Sequence, residues 1–129
     1  MKHLKPKSEY DDAVNEQLPR ASALDTFPRP EYVTHVTLHG LENTSLCPIT
    51  QQPDYWTVSI DYTPDKTCLE SKSLKLYLMS FRTYGAFCEA LSHKICEDVY
   101  SRLNCPITVT VNFNSRGGII ITATSRRDV

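Results

Sequence analysis

The spacing of hydrophobic and polar residues predicts two β-strands in the first half of the chain. Even-numbered positions over residues 32–38, and again over residues 56–62, share one face. Polar residues alternate with the apolar ones in the second run, which is typical of a sheet with one face in water. Gly40 is expected to end the first strand, and residues 43–54 are expected to form a polar loop containing two prolines.

The hydrophobic period changes to that of a helix in the middle of the chain. Apolar residues recur at i, i+3, i+4 and i+7, which predicts an amphipathic helix with Glu70 near its start. These apolar residues are Leu74, Tyr77, Leu78 and Phe81. A second helix is predicted over residues 86–103, where five apolar residues share a face and Pro106 follows.

Alternation returns near the end of the chain. Residues 107–113 and 119–124 are predicted strands, joined by a hairpin turn over residues 114–118. The order strand, strand, helix, helix, strand, strand predicts an α+β fold: one antiparallel four-stranded sheet with both helices on one face. Residues 1–30 contain half of the eight prolines and no sustained apolar period, so we interpret them as an N-terminal arm before a domain of residues 31–129.

Composition narrows the class of protein. The 129 residues fit one domain, and the net charge of -1 argues against a dedicated nucleic-acid binder. No apolar run approaches the ~18 residues of a membrane span, and the start lacks the apolar region of a signal peptide. We therefore expect a cytoplasmic protein with reduced thiols. A chain this short would need a second subunit to complete an enzymatic pocket.

Cys47 is the first candidate catalytic residue. It lies in the predicted loop, before Pro48 and seven residues before Asp54. An accessible thiol near a carboxylate can act as a nucleophile with a proton partner. Most isolated cysteines are small core residues, however, so the spacing alone favours a structural role.

The other cysteines are interpreted as structural or incidental. Cys88, His93 and Cys96 have a spacing that suggests a metal cluster, but no further ligand pair accompanies them, so no metal is predicted. A core or incidental role is favoured for three cysteines: Cys68, Cys96 and Cys105.

Three further features could bind anions or a purine edge. Lys72 and Lys75, with the hydroxyls near them, could hold a phosphate at a helix start, although a solvated helix face is the commoner outcome. Arg116 precedes a Gly-Gly pair that suits a hairpin and could contact an anion. Glu89 is an exposed helix charge or, in a pocket, a bidentate partner for a purine-like N–H edge.

These segments together resemble one enzyme family. The sequence Leu-Glu-Ser-Lys-Ser-Leu-Lys-Leu-Tyr at residues 69–77 is similar to the signature of the NADPH-dependent 7-cyano-7-deazaguanine reductases, the nitrile reductases of queuosine biosynthesis, of the single-module type. The resemblance extends over about residues 43–121. Further segments match in the family's order and spacing: residues 45–48, 52–54, 80–82, 87–89 and 116–118.

The resemblance implies a fold, an assembly and a mechanism. The fold would be the tunnelling fold, whose subunits join into rings with active sites at the subunit boundaries. The assembly of a single-module member would resemble two stacked pentamers. Cys47 would attack the nitrile carbon to form a covalent thioimide, and Asp54 would donate a proton to the nitrogen and help Cys47 to ionise. Two hydrides from two NADPH molecules would then give the aminomethyl product.

The resemblance also implies binding residues. Substrate-binding positions are matched by Leu69, Glu70, Ser71, Cys88 and Glu89. NADPH-binding positions are matched by Ser71, Lys72, Arg116 and Gly117, and the phosphates account for the Lys and Arg. The family usually has His where Cys88 stands, and a thiol is a weaker hydrogen-bonding group, which bears on reductase efficiency. We hypothesise that Cys47 and Cys88 form a protective disulfide under oxidation.

Two other functions remain open. Relatives of the same fold in some archaea keep the Cys and Asp, act on the nitrile base in tRNA and add ammonia to form the archaeosine amidine, but they lack the NADPH segment. Residues 70–77 favour reduction instead. A non-catalytic pterin- or purine-binding subunit is disfavoured by the combination Cys47, Asp54, Glu70 and Glu89. The expected partners are a small-molecule deazapurine nitrile and further copies of the chain, with neither a membrane nor direct nucleic-acid contact.

Overall fold

The computed structural model describes residues 19–128. Six strands and two α-helices occur in this part of the chain, with short 3-10 turns at Ala21–Ala23 and Ser80–Thr83. The strands are β1 (Thr26–Pro28), β2 (Val36–Leu46), β3 (Pro53–Tyr62), β4 (Thr67–Leu69), β5 (Ile107–Phe113) and β6 (Thr122–Arg127); the helices are α1 (Ser71–Met79) and α2 (Cys88–Leu103).

The main sheet has four antiparallel strands in the order β2-β3-β5-β6. Every second residue of β3 and β5 is buried against residues of α1 and α2, while the residues between them are more exposed. The alternating pattern thus places both helices on one face, because only that face is apolar. The predicted α+β fold is confirmed.

Strand β2 is longer than predicted and begins later. It starts at Val36 and continues past Gly40, so the predicted loop over residues 43–54 is reduced to residues 47–52. The register with β3 shifts between Gly40 and Asn43, and the Asn43 amide donates to the Gly40 carbonyl at 2.9 Å. A Cβ at Gly40 would lie 2.9 Å from Val58 Cγ1. Glycine is therefore needed for close packing at an irregularity and does not end the strand.

The predicted position of strand β6 was also wrong. It begins at Thr122, whereas residues 119–124 were predicted, and residues 114–121 form a longer connection than a simple hairpin turn. Within this connection Arg116 and Ile119 exchange backbone hydrogen bonds of 3.1 and 3.3 Å. Gly117 and Gly118 between them have φ of 62° and 82°, which glycine adopts without strain.

A second, two-stranded sheet was not predicted. It pairs β1 with β4, and the side chain of Leu24 just before it is fully buried in the core. Residues 21–28 therefore pack on the domain. The proposed arm over residues 1–30 otherwise remains a prediction, since residues 1–18 lie outside the described part.

An aromatic cluster fills the core between α1 and the sheet. Phe81, in the 3-10 turn after α1, is fully buried and meets three rings edge-on. Its centroid distances are 5.8 Å to Trp56, 5.2 Å to Tyr77 and 5.4 Å to Tyr84. The helical stripe thus reaches Phe81, although α1 itself ends at Met79. Among the described residues, neither helix has the length and hydropathy to cross a membrane.

Candidate active site

The predicted Cys47–Asp54 pair lies at one end of the β2–β3 hairpin. Cys47 begins the connecting loop, where its N–H donates to the Gln52 carbonyl at 2.8 Å and its carbonyl accepts from Gln51 N–H at 2.9 Å. Asp54 stands opposite Ser45 in the register of the two strands. The compact loop therefore brings the thiol and the carboxylate to the same end of the sheet.

The Cys47 thiol is adjusted for ionisation near neutral pH. The Thr50 hydroxyl, the N–H groups of Thr50 and Ile49, and the Arg116 guanidinium lower its pKa to about 7, against a smaller opposing effect of burial. The side chain is partly exposed. A substantial thiolate fraction at neutral pH in an accessible position is what a cysteine nucleophile requires.

Arg116 connects the β5–β6 loop with the Cys47 loop. Its guanidinium donates to the Asp54 carboxylate and to Gln52 Oε1, the latter at 3.0 Å, and contacts Thr50 Oγ1 at 3.3 Å. Asp54 is only 6% exposed, so its charge needs such a partner. Arg116 was predicted as a cofactor residue, and its partners in this chain are the neighbours of the nucleophile.

The first turn of α2 lies beside this loop because Ala86 N–H donates to the Leu46 carbonyl at 3.1 Å. Glu89 on that turn is exposed. Cys88 is 1% exposed, and its thiol contacts the carbonyls of Val111 at 3.6 Å and Ile121 at 3.9 Å. Burial, followed by the Glu89 charge, raises the pKa of Cys88.

All five cysteines are unpaired in this structure. The hypothetical disulfide between Cys47 and Cys88 is therefore not formed in this state. A thiol buried against strand carbonyls would have to turn away from them to reach Cys47. The role of Cys88 as a substrate-binding residue stays a prediction.

The segment from Leu69 to Lys72 lies at the other end of the hairpin. Leu69 N–H donates to the Tyr62 hydroxyl at 3.0 Å, and Tyr62 is paired with Val36 at the start of β2. Burial raises the pKa of Tyr62 to about 12, so this hydroxyl stays protonated. The end of β3 thus positions Leu69, which leads into α1.

Glu70 caps α1. Its carboxylate accepts from the N–H groups of Lys72 and Ser73, both at 2.8 Å, and these bonds lower its pKa. The first turn of α1 also borders a groove of about 520 Å³ between β2 and α1, which includes Ser71, Lys75 and Arg82. The groove is lined by the cations Lys75 and Arg82, which suit phosphate groups, together with the Ser71 and Thr44 hydroxyls and one acidic residue, Glu42.

The two groups of predicted residues do not meet within one chain. We name Cys47, Asp54, Arg116 and Gly117 the nucleophile end, and Leu69, Glu70, Ser71 and Lys72 the recognition end. Asp54 and Tyr62 are eight steps apart along β3, which corresponds to about 26 Å of extended chain. Glu89 and Cys88 belong with the nucleophile end.

The suggested metal ligands also do not converge. The His93 side chain is 73% exposed and lies 3.8 Å from Glu97, whereas Cys88 and Cys96 are buried. Within residues 19–128, no three or more metal-binding side chains form a group.

Sequence reasoning missed two polar residues of the nucleophile end. Gln52 and Thr50 both contact Arg116, and Thr50 gives the largest contribution to the lowered pKa of Cys47. Gln52 lies within a matched segment and could have been found there. Thr50 gave no signal, since its role depends on how the loop folds.

A two-layer α+β fold with a thiol and a carboxylate at one hairpin end is the arrangement that the resemblance to the tunnelling-fold reductases implies. The chain belongs to the QueF-like protein family, whose model matches residues 53–128. The NADPH-dependent 7-cyano-7-deazaguanine reductase of Frankia casuarinae is 47% identical over 104 residues, 80% of this chain and 83% of that protein. The reductase of Alkalilimnicola ehrlichii is 47% identical over 77% of this chain and 79% of that protein.

A solved structure supports the same assignment of the fold. The archaeosine synthase QueF-Like in the apo form matches with a TM-score of 0.70 and 25% identity, covering 74% of this chain and 95% of that one. The resemblance read from the sequence is therefore confirmed. The relatives named as reductases are the more similar in sequence, and the solved structure represents the amidine-forming alternative.

Proposed function

We propose that this chain reduces the nitrile of 7-cyano-7-deazaguanine to an aminomethyl group, using NADPH, through a covalent thioimide on Cys47. The observation that carries this proposal is the Cys47 thiol, with a pKa lowered to about 7, at the same hairpin end as Asp54. The relatives at 47% identity are named as NADPH-dependent reductases of this substrate. The chain is an oxidoreductase of this kind, acting in queuosine biosynthesis.

The covalent step uses the groups at the nucleophile end. A sulfur lone pair of Cys47 forms the C–S bond while one π pair of the nitrile moves to nitrogen. The proton lost by the thiol reaches that nitrogen through Asp54. NADPH, held by Ser71, Lys72, Arg116 and Gly117, would supply the two hydrides that take the thioimide to the amine, and Cys47 would be released between them.

The binding roles follow the matched positions. Leu69, Glu70, Ser71, Cys88 and Glu89 contact the deazapurine. Ser71, Lys72, Arg116 and Gly117 hold NADPH. The groove beside Ser71, with Lys75 and Arg82, supports this placement because its cationic side chains suit phosphates.

The separation of about 26 Å between the two ends supports assembly. A neighbouring copy in a pentameric ring brings its recognition end to this chain's nucleophile end. Two such pentamers stack on each other. The outer strands β2 and β6 of the main sheet are the edges through which copies can join. The protein acts in the cytoplasm on a free base and does not bind nucleic acid directly.

Mass spectrometry combined with NADPH oxidation tests the proposal. Mixing the protein with 7-cyano-7-deazaguanine is expected to add the nitrile's mass to the Cys47 peptide, and NADPH added afterwards is expected to be oxidised. Cys47→Ala is expected to abolish both signals, while Cys68→Ala, which removes a buried thiol, is the matched control. A wild-type protein that binds the nitrile without oxidising NADPH would contradict the reductase.

The second candidate is the amidine-forming transferase. The match to an archaeosine synthase favours it as an alternative, since the fold and the Cys–Asp arrangement serve both reactions. Ammonia-dependent product on tRNA that carries the nitrile base, without NADPH oxidation, would establish it in place of the reductase.

A further inference from the structure

Arg116 contacts three side chains in and just after the loop that carries Cys47. One of its nitrogens, Nη1, donates to Asp54 Oδ1, and the other, Nη2, reaches Gln52 Oε1 at 3.0 Å and Thr50 Oγ1 at 3.3 Å. These partners precede Arg116 by 62 to 66 residues in the chain. One guanidinium therefore joins the β5–β6 loop to the loop that carries the nucleophile.

The bond to Thr50 determines where the Thr50 proton points. Thr50 Oγ1 also accepts from the Gln52 N–H at 3.3 Å. A hydroxyl has two acceptor lone pairs and one proton, so two incoming bonds leave only the proton for a further partner. Bonds of 2.8 Å from Cys47 N–H to the Gln52 carbonyl and 2.9 Å from Gln51 N–H to the Cys47 carbonyl fold the loop so that Thr50 lies beside Cys47, and the Thr50 hydroxyl is the largest cause of the lowered pKa of Cys47.

We propose that Arg116 is a positioning residue for the nucleophile: it orients the Thr50 hydroxyl toward the Cys47 sulfur and holds the Asp54 carboxylate beside the same loop before substrate arrives. This role is distinct from binding NADPH. It rests on the proposed function only for the identity of the electrophile. Charged or titratable groups on the elements that border this end include Asp54, Tyr55, Tyr84, Cys88, Glu89 and Arg116.

The pH profile of Cys47 alkylation tests the role without substrate. Iodoacetamide labelling, resolved by peptide mass, is measured in Arg116→Gln, which removes the charge, and in Arg116→Lys, which keeps it. We expect the midpoint of Cys47 alkylation to rise by roughly half a unit or more in Arg116→Gln, and by less in Arg116→Lys. Arg126→Gln is the matched control, because Arg126 is an exposed partner of Asp128 at 3.0 Å.

Thermal melting of each variant separates loss of fold from loss of position. If the Tm of Arg116→Gln is much lower than that of the wild type, the alkylation midpoints of Arg116→Lys and Thr50→Val test the proposal instead. Thr50→Val removes the proposed donor directly. A wild-type alkylation midpoint in folded Arg116→Gln or in folded Thr50→Val would overturn the proposal.

Adduct formation without NADPH distinguishes the new role from the cofactor role. We expect Arg116→Gln to slow the appearance of the nitrile adduct on Cys47 roughly tenfold. An unchanged adduct rate combined with a raised KM for NADPH would show that Arg116 is a cofactor ligand only. If the wild type forms no adduct, the proposed function fails, and the alkylation profile still decides the positioning role.

Discussion

The two ends of the β2–β3 hairpin use their polar groups in different ways. At the nucleophile end, side chains from distant parts of the chain bond to one another: Arg116 to Asp54, Gln52 and Thr50. At the recognition end, the Glu70 side chain bonds to the backbone of its own helix. The long-range bonds of the first end join side chains, whereas those of the second involve the backbone of Asp25: its carbonyl accepts from Glu70 N–H at 2.9 Å, and its N–H donates to Ser73 Oγ at 2.9 Å.

This difference shows which chemistry each end supports. At the nucleophile end, the pKa of Cys47 is lowered chiefly within its own loop, by the Thr50 hydroxyl and the N–H groups of Thr50 and Ile49, and to a smaller extent by the distant Arg116. The Glu70 cap instead fixes the orientation of a short segment. Under the proposed function the two ends are complementary, and the separation between them is the reason to expect a partner copy.

Mixing two inactive variants should produce the largest effect. Cys47→Ala destroys the nucleophile end and Glu70→Gln alters the recognition end, so each variant alone is expected to lose at least about a hundredfold in NADPH oxidation. If each site combines ends from two chains, random co-assembly should restore about one quarter of the sites. Steady-state NADPH oxidation of the refolded mixture measures this.

The control is a mixture of Cys47→Ala with the double variant Cys47→Ala/Glu70→Gln, which has no intact nucleophile end. Activity of the first mixture at the level of that control would show that both ends act within one chain, and the comparison drawn above would fail.

Phe81→Ala should destabilise the domain as a whole, since Phe81 is fully buried in the aromatic cluster between α1 and the sheet. Loss of a fully buried phenylalanine is expected to lower the free energy of unfolding by about 3–5 kcal/mol. Urea unfolding at one fixed protein concentration measures it. Phe87→Ala, at an exposed phenylalanine, should change it by less than about 1 kcal/mol. Equal losses in the two variants would contradict the packing argument.

Thiol reactivity should separate Cys47 from the buried cysteines. Cys47 is expected to react with iodoacetamide with a midpoint about pH 7. Burial raises the pKa of Cys88, Cys96 and Cys105, so these should react only at higher pH and slowly. Protein in concentrated urea is the reference, in which all five thiols should behave alike. A common midpoint in the folded protein would remove the electrostatic distinction.

The smallest effect concerns the Glu70 cap. The lowered pKa means that its ionised form stabilises the folded state; this contribution is present above the ordinary value of 4.5 and is lost as the pH falls through the lower folded pKa. Glu70→Ala should therefore lower Tm at pH 7, with a gap that narrows toward acid pH. Glu70→Asp, which keeps a capping carboxylate, should retain Tm. A gap independent of pH would indicate another cause.

Much of the fold followed from local periodicity. Alternation located the cores of β3 and β5, and the helical stripe located α1 and α2, because these segments bury one face each. Gly40 misled the reading of β2, since an irregularity in the pairing lets glycine remain inside the strand. The β1–β4 pair gave no signal, because three residues are too few for a period.

The candidate site was less predictable than the fold. Resemblance identified Cys47, Asp54, Glu70 and Arg116, yet no property of the sequence indicated that Arg116 would bond to Asp54 at a separation of 62 residues. The contact depends on the pairing of β3 with β5, which places the two hairpin loops together. Long-range pairing of this kind is set by tertiary packing and leaves no local pattern.

The bridge between the two hairpin loops has a consequence for protein engineering. Residues 47–54 alone, transplanted into another scaffold, would carry the thiol and the carboxylate but leave behind the guanidinium that orients Thr50. Such a graft would keep the bonds that Thr50 and Ile49 make to the thiol but lose the Arg116 contribution to the lowered pKa of Cys47. A designer who wishes to move this chemistry must therefore copy both loops and the spacing that two paired strands impose on them.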